Sequence, residues 1–398
     1  VSRDAAGGGS LAARYVAVDA TTVLAPGELV WDCRGRIVAL RRARGPVDDV
    51  AVLPGLVNAH AHLQIGALPT PERRFLPWLS LVMAQQASTT PAARRRAVAE
   101  AARALLAGGT VAVGEIDATG DSMAPLAQSL LRGRCYRELT GFHLEAAGAR
   151  RLLAERAVRA QPPLLAGWSP HAPYSASPAL FRAAAATRRP LAIHCAEVPE
   201  EQEFLATGGG PFAALLQRLG RLPDDFRAPG LGAVRWLERL GALRPTTLLV
   251  HCQELERGDA ARIAAAGAAI VVCPGTIDWF RRSPPPVPAW RRAGIPVALG
   301  TDSLASNVAL SMPRELARAR ALWPGLRDRE LLAMATAGGA RALGLRGAGA
   351  LRRGGRADFV TVPARASFDA TLAAFVGGDL APATVVAQGR LLAAAADR

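Results

Sequence analysis

Between residues 50 and 305 the chain repeats one pattern: a short unbroken apolar run, a few polar residues, then an Ala/Leu/Arg-rich stretch with helical spacing. The runs are "AVLPGLVNAHAH", "GGTVAVGEID", "GRCYRELTGF", "LLAGWSPHAP", "PLAIHCAE", "TTLLVHCQ", "AAIVVCPG" and "PVALGTDS", eight in all. Continuous rather than alternating apolar runs suit parallel strands buried on both faces. The stretches between them, such as "TPAARRRAVAEAARALLAGG" and "ELERGDAARIAAAG", close on Gly, the residue that most easily takes the left-handed turn at a helix end. Eight strand–helix units over ~250 residues predict an α/β fold, a (β/α)8 TIM barrel.

The flanks read differently. "RYVAVDATTVL", "GELVWD" and "GRIVAL" before the barrel, and "ADFVTVP" and "ATVVAQGRLL" after it, are short strand-like pieces separated by Gly and charged turns. They predict one small β domain built from both chain ends, with residues 1–52 and 346–398 flanking a catalytic domain at 53–345. Residues 1–9 are expected to form a mobile tail.

Catalytic residues of such a barrel project from the C-terminal ends of its strands. The first run ends in His60 and His62, the fourth in His171, the fifth in His194 with Glu197 three residues on, the sixth in His251 and the eighth in Asp302. Side chains two apart on a strand point the same way, so His60 and His62 share a side. A single His on an apolar face is usually a hydrogen-bonded core residue; five of the six at strand ends are a stronger signal. A His-x-His pair, a third His and an Asp form a nitrogen/oxygen donor set suited to a catalytic zinc or iron. His143 reads as a loop or surface residue.

Composition removes several alternatives. Five cysteines, odd in number and without CxxC spacing, argue against both a disulfide framework and a thiolate zinc site. A formal charge of +15 invites a nucleic-acid reading. The arginines, however, are spread along the whole chain without an interleaved aromatic stretch, and no specific nucleic-acid partner is expected. There is no lysine. That excludes a P-loop, Schiff-base chemistry and a pyridoxal-phosphate lysine. No run of 18 apolar residues suggests a membrane helix, and "VSRDAAGGGSLAAR" lacks a signal-peptide core, so a cytoplasmic protein is expected.

In "LPGLVNAHAHL", "PHAPYS", "IHCAE", "LVHC" and "ALGTDSLASN" the chain resembles the amidohydrolase superfamily. The likeness is to its nucleoside and nucleobase deaminase branch, which includes S-adenosylhomocysteine, methylthioadenosine and aminodeoxyfutalosine deaminases, guanine deaminase and triazine chlorohydrolases. "GRIVAL" and "LRRGGRADFVTV" resemble that family's β-sandwich. The resemblance implies that His60, His62, His194 and Asp302 bind one divalent metal, Zn2+ with Fe2+ as the alternative. It implies that Glu197 shuttles a proton, that Asp302 accepts the proton of the attacking water, and that His251 orients that water or polarises the reacting carbon. A homodimer is a family expectation.

The substrate is then a small heterocycle. His171 and Tyr174 in "PHAPYS", Phe75 and Trp78 in "RRFLPWLSL", and Ser303 in "GTDS" are candidate contacts. Arg137, beside Glu138, is another. After "VVCP" the stretch at 274–286, "GTIDWFRRSPPP" with its neighbours, departs from the family pattern and offers Trp279 and Phe280 as an aromatic wall. The expected activity is hydrolytic deamination of an aminated purine nucleoside, aminodeoxyfutalosine before S-adenosylhomocysteine or methylthioadenosine. Cleavage of another C–N or C–Cl bond, in guanine, a pterin, cytosine or a triazine, is the alternative. A basic binding protein on a retired barrel would show a degraded ligand set, and here the set is whole.

Overall fold

In a computed structural model, which describes residues 2–3 and 8–392, the eight apolar runs form eight parallel strands. They are β1 (Leu56–Ala61), β2 (Thr110–Asp117), β3 (Arg132–Leu139), β4 (Leu164–Pro170), β5 (Leu191–Cys195), β6 (Thr247–His251), β7 (Ala269–Val272) and β8 (Val297–Leu299). Each pairs with the next in sequence. The barrel closes where Ala61 bridges Asp302, with the Asp302 amide donating to the His60 carbonyl at 3.1 Å. Side chains such as Val57, Ile116, Tyr136, Leu248 and Val271 fill the interior, so the barrel is a packed core.

The helices form where the sequence marks their starts and stops. Thr90 caps the helix Pro91–Ala107 by accepting from the Ala93 amide, and Ser177 caps Pro178–Ala186 in the same way. Both have Pro in the first turn, where no intrahelical donor is lost. Gly267, at φ +66°, ends Asp259–Ala266.

The chain flanks meet in one mixed sheet. Strand Phe359–Pro363 pairs antiparallel with Asp48–Pro54, so the two ends of the chain share one core, where Trp31 packs edge-on against Phe359 at 5.4 Å. The strand Asp48–Pro54 runs across residue 52. The C-terminal flank also contains a helix, Phe368–Gly377, that its strand-like neighbours concealed. Ser367 caps it and Gly378, at φ +90°, ends it. The tail expected at residues 1–9 lies mostly outside the described residues; Ser2 and Arg3 pair with Ser10 and Gly9.

Among the described residues, no helix is long and apolar enough to cross a membrane. Cys135, Cys195, Cys252 and Cys273 are buried free thiols, and Cys33 is exposed.

Candidate active site

At the C-terminal end of the barrel the strand ends converge on one buried cluster. His60 Nε2 and His62 Nε2 lie 3.6 and 3.8 Å from Asp302 Oδ1, and His62 Nε2 lies 3.2 Å from His194 Nε2. His251 joins from β6, its ring 5.5 Å from that of His194 and 5.8 Å from that of His60. Within the sets His60/His62/Asp302 and His60/His194/His251, one donor atom per residue lies within 4.8 Å of the others.

The strand ends are bent to achieve this. Ala196, His251, Cys252 and Asp302 all adopt left-handed backbone, at φ between +50° and +72°. Such positions cost roughly 1–3 kcal/mol each and persist only where packing enforces them. Asp302 is also oriented from behind: Thr276 Oγ1 and Ser306 Oγ donate to its Oδ2 at 3.2 and 2.8 Å, leaving Oδ1 toward the rings.

The donors fit a divalent cation. Both ring nitrogens of His60 are buried without a hydrogen-bond partner, an arrangement that is unfavourable unless something else satisfies them. Burial, reinforced by neighbouring rings, pushes His62 and His251 down to about 3 and His194 well below its ordinary value. The rings are therefore neutral at pH 7 and present lone pairs. Burial alone would raise Asp302, yet the surrounding histidines hold it well below the usual carboxylate range. Three imidazoles and one carboxylate are hard-to-borderline donors of the kind zinc and similar ions take.

Glu197 stands beside this cluster, its Oε1 3.7 Å from His251 Nε2 and 3.4 Å from Arg282 Nη1. Burial lifts its carboxyl to about 7 against the lowering effect of Arg282. Its amide donates to the Glu201 carboxylate at 2.9 Å, fixing the start of the following helix. Arg282 is held in turn by aromatic faces, its guanidinium carbon 4.5 Å from the Phe280 ring centre and 5.4 Å from that of Phe75.

A cavity of about 410 Å³ opens above the cluster. His171, Tyr174, Phe75, Trp78 and Ser303 line it, as do His62, His194, Glu197, His251 and Asp302. His171 stacks on His194 at 4.5 Å and contacts Ser175 Oγ at 2.8 Å. Trp78 donates its indole N–H to the Ala305 carbonyl at 2.8 Å.

Three of the candidate contacts singled out in the sequence, Arg137, Trp279 and Phe280, do not line the cavity. Arg137 turns away, donating to the Asp117 carbonyl at 2.7 Å, while its neighbour Glu138 lines the cavity, its carboxyl lifted by burial to about 7. Trp279 donates to the Glu72 carbonyl at 2.9 Å under Arg73; Phe280 is the ring that meets Phe75 and Trp78, at 5.9 and 5.3 Å. His143 is exposed.

Sequence reasoning missed the wall contributed by residues 212–221 and the part played by Arg282. The arginine pair "FRRS" in the divergent stretch was a signal for the second; the first had none beyond an amphipathic helix.

Comparison with known proteins agrees with this geometry. The amidohydrolase family model matches residues 51–392. A protein named aminodeoxyfutalosine deaminase from Deinococcus radiodurans is 36% identical over 321 residues, covering 74% of this chain and 73% of its own. A 5-methylthioadenosine/S-adenosylhomocysteine deaminase from Syntrophobacter fumaroxidans is 31% identical over 372 residues, covering 83% and 76%. The crystal structure of an adenosine deaminase from Xanthomonas campestris with bound zinc superposes with a TM-score of 0.78 over 96% of this chain and 92% of that one; at 23% identity it speaks to the fold. The eight-stranded barrel, the strand-end His/Asp cluster and the family match over most of its length agree: this chain belongs to the amidohydrolase family.

Proposed function

We propose that the protein is a zinc-dependent deaminase of 5′-substituted adenine nucleosides, converting the amino-bearing purine carbon to a carbonyl and releasing ammonia. The observation that carries this reading is the placing of Glu197: a buried carboxyl, lifted by burial to about 7, beside His251 and a His/Asp cluster, on the floor of an aromatic-lined cavity. The named deaminase relatives support the substrate class, the Deinococcus protein favouring aminodeoxyfutalosine. On this reading residues 53–345 carry the chemistry, and 1–52 with 346–398 form the β domain beside it.

His60, His62, His194 and Asp302 would hold the zinc. Bound there, zinc supplies Lewis acidity that lowers the pKa of a water toward neutrality. Asp302, held well below the usual carboxylate range and fixed through Oδ2, would accept the proton of the attacking water. Glu197 delivers a proton to the ring nitrogen next to the attacked carbon, so the purine never carries a full negative charge. His251, neutral and in line with Glu197, orients the attacking oxygen. When the C–N bond breaks, the amino group takes the proton held on Asp302 and departs as ammonia, while the proton left on the attacking oxygen returns to Glu197 as the carbonyl forms, so that water and the amino compound balance the carbonyl product and ammonia.

Tyr174 stacks on Phe212 at 3.9 Å and Phe75 faces Trp78 at 5.4 Å, giving flat apolar surfaces for a purine. Gln86 lines the same cavity with its Oε1 buried and unpartnered, an acceptor for a sugar hydroxyl. The test is Glu197→Gln in zinc-loaded protein. The reading predicts a fall in kcat of ~10²–10⁴-fold with zinc content retained; unaltered turnover would remove Glu197 from the mechanism.

A further inference from the structure

Behind Asp302 lies a carboxylate that the mechanism does not use. Glu315, in the first turn of the helix Met312–Leu322, is 1% exposed. Its Oε2 accepts from the Gly275 amide at 2.8 Å and its Oε1 from Asn307 Nδ2 at 2.7 Å. Gly275 belongs to the short helix Pro274–Trp279 after β7, and Asn307 to the segment after β8. Each is the sequence neighbour of a residue that donates to Asp302 Oδ2: Thr276 follows Gly275, and Ser306 precedes Asn307. Asn307 Nδ2 also donates to the carbonyl of Thr301, the residue before Asp302, at 2.8 Å. The junction is closely packed: a Cβ on Gly275 would lie 2.4 Å from Asn307 Nδ2, an amide already fixed on two acceptors.

We infer that Glu315 is a positioning residue for Asp302, tying the segments after β7 and β8 together so that Thr276 and Ser306 hold Oδ2 and leave Oδ1 toward the histidines. The inference goes beyond the proposed function but rests on its reading of Asp302 as a zinc ligand and proton acceptor. A hydroxyl hydrogen rotates to suit its surroundings. What aims the two donors is therefore the placing of their backbones, and Glu315 holds one neighbour of each. Asp302 needs such support, because its left-handed backbone, at φ +58°, is costly unless packing enforces it. A carboxylate suits the place: two N–H donors from different segments meet two equivalent acceptor oxygens. A glutamine of the same size offers one acceptor and turns its NH2 toward the other donor, so one tie is lost and a buried N–H goes unsatisfied. Outer partners of this kind tune a metal site through ligands they never replace; losing one typically costs ~10–100-fold in metal affinity or activity.

The test measures zinc affinity by chelator competition, together with kcat and KM for ammonia release from aminodeoxyfutalosine at saturating zinc. It compares the wild-type chain with Glu315→Gln and with Asp358→Asn, a control for lost stability. Asp358 is a buried carboxylate beside the strand Phe359–Pro363, paired with Arg132 at 3.1 Å. Glu315→Gln should weaken zinc binding roughly ten- to a hundredfold and lower kcat more than it changes KM. Asp358→Asn should lower the melting temperature and leave zinc affinity and kcat in place. In a Thr276→Val/Ser306→Ala background, adding Glu315→Gln should cost little further affinity, because the three residues act in series. Should Glu315→Gln fail to fold, Asn307→Ala, which removes one of the two ties, carries the same expectation. Unchanged zinc affinity, an equal loss in Asp358→Asn, or a full additional loss in the Thr276/Ser306 background overturns the inference and leaves the deaminase reading intact. Zinc affinity that Asp302→Asn leaves unchanged overturns the reading of Asp302 and the inference with it.

Discussion

Glu197 lies between opposing influences, and the balance sets its usefulness. Burial pushes its carboxyl toward the neutral acid, while Arg282 at 3.4 Å favours the anion; the outcome is about 7. A group that must carry a proton into the reaction is competent below that value and loses competence as pH rises through it. The expected profile is therefore a fall in kcat/KM above about pH 7. Replacing Arg282 with Leu removes the lowering influence, so the falling limb should move to higher pH, on the order of one unit. Measuring the wild-type and Arg282→Leu profiles with the same substrate checks this; a limb that stays in place would mean that Arg282 does not act on Glu197.

At the scale of the strand and loop, neighbouring residues divide between the site and its support. Glu138 faces the cavity and Arg137 the opposite way because side chains alternate along a strand; the sequence placed the charged pair at the right strand end without telling which member faces inward. At the end of the short helix Pro274–Trp279, Phe280 packs behind the cavity-lining Trp78 while Trp279 turns to the Glu72 carbonyl. Eight buried strands were legible because their apolar runs are continuous and their polar residues stop at one end. The helix Phe368–Gly377 was not, since ten residues of mixed apolar sequence between two strands carry too short a period to separate helix from strand.

Barrel closure depends on one close approach. A Cβ on Gly300 would lie 2.8 Å from the His60 carbonyl oxygen and 2.9 Å from His60 Cβ, against groups that cannot swing aside. Gly300→Ala should therefore push β8 from β1, costing roughly 1–3 kcal/mol and displacing Asp302 from His60. Thermal melting with zinc titration checks both effects. A variant that melts and binds zinc as the parent does would show that the seam has slack.

Taken as a whole molecule, the site is assembled from segments far apart in the chain. The ligand cluster was readable because each member stands at an equivalent place in a repeated unit. The cavity wall was readable only in part: Phe75 and Trp78 follow the first strand closely enough to be named from the sequence, whereas Phe212, Leu215, Leu216 and Leu219 come from a separate excursion between strands, and only folding brings Phe75 to 6.4 Å from Phe212. The positive charge has a correspondingly local meaning. Many arginines serve surface ion pairs or backbone carbonyls, such as Arg329 with Asp369 and Arg244 with Ala185, while Arg282 bears on the reaction through Glu197.

The central claim is hydrolytic loss of an amino group from an adenine nucleoside. Its most direct measurement is product mass spectrometry after incubating the zinc-loaded protein with aminodeoxyfutalosine in isotopically labelled water, with ammonia quantified in parallel. The account predicts one labelled oxygen on the purine for each ammonia released, and loss of both signals when zinc is stripped. An unchanged nucleoside in the presence of a zinc-filled site, or ammonia released without label entering the ring, would contradict it.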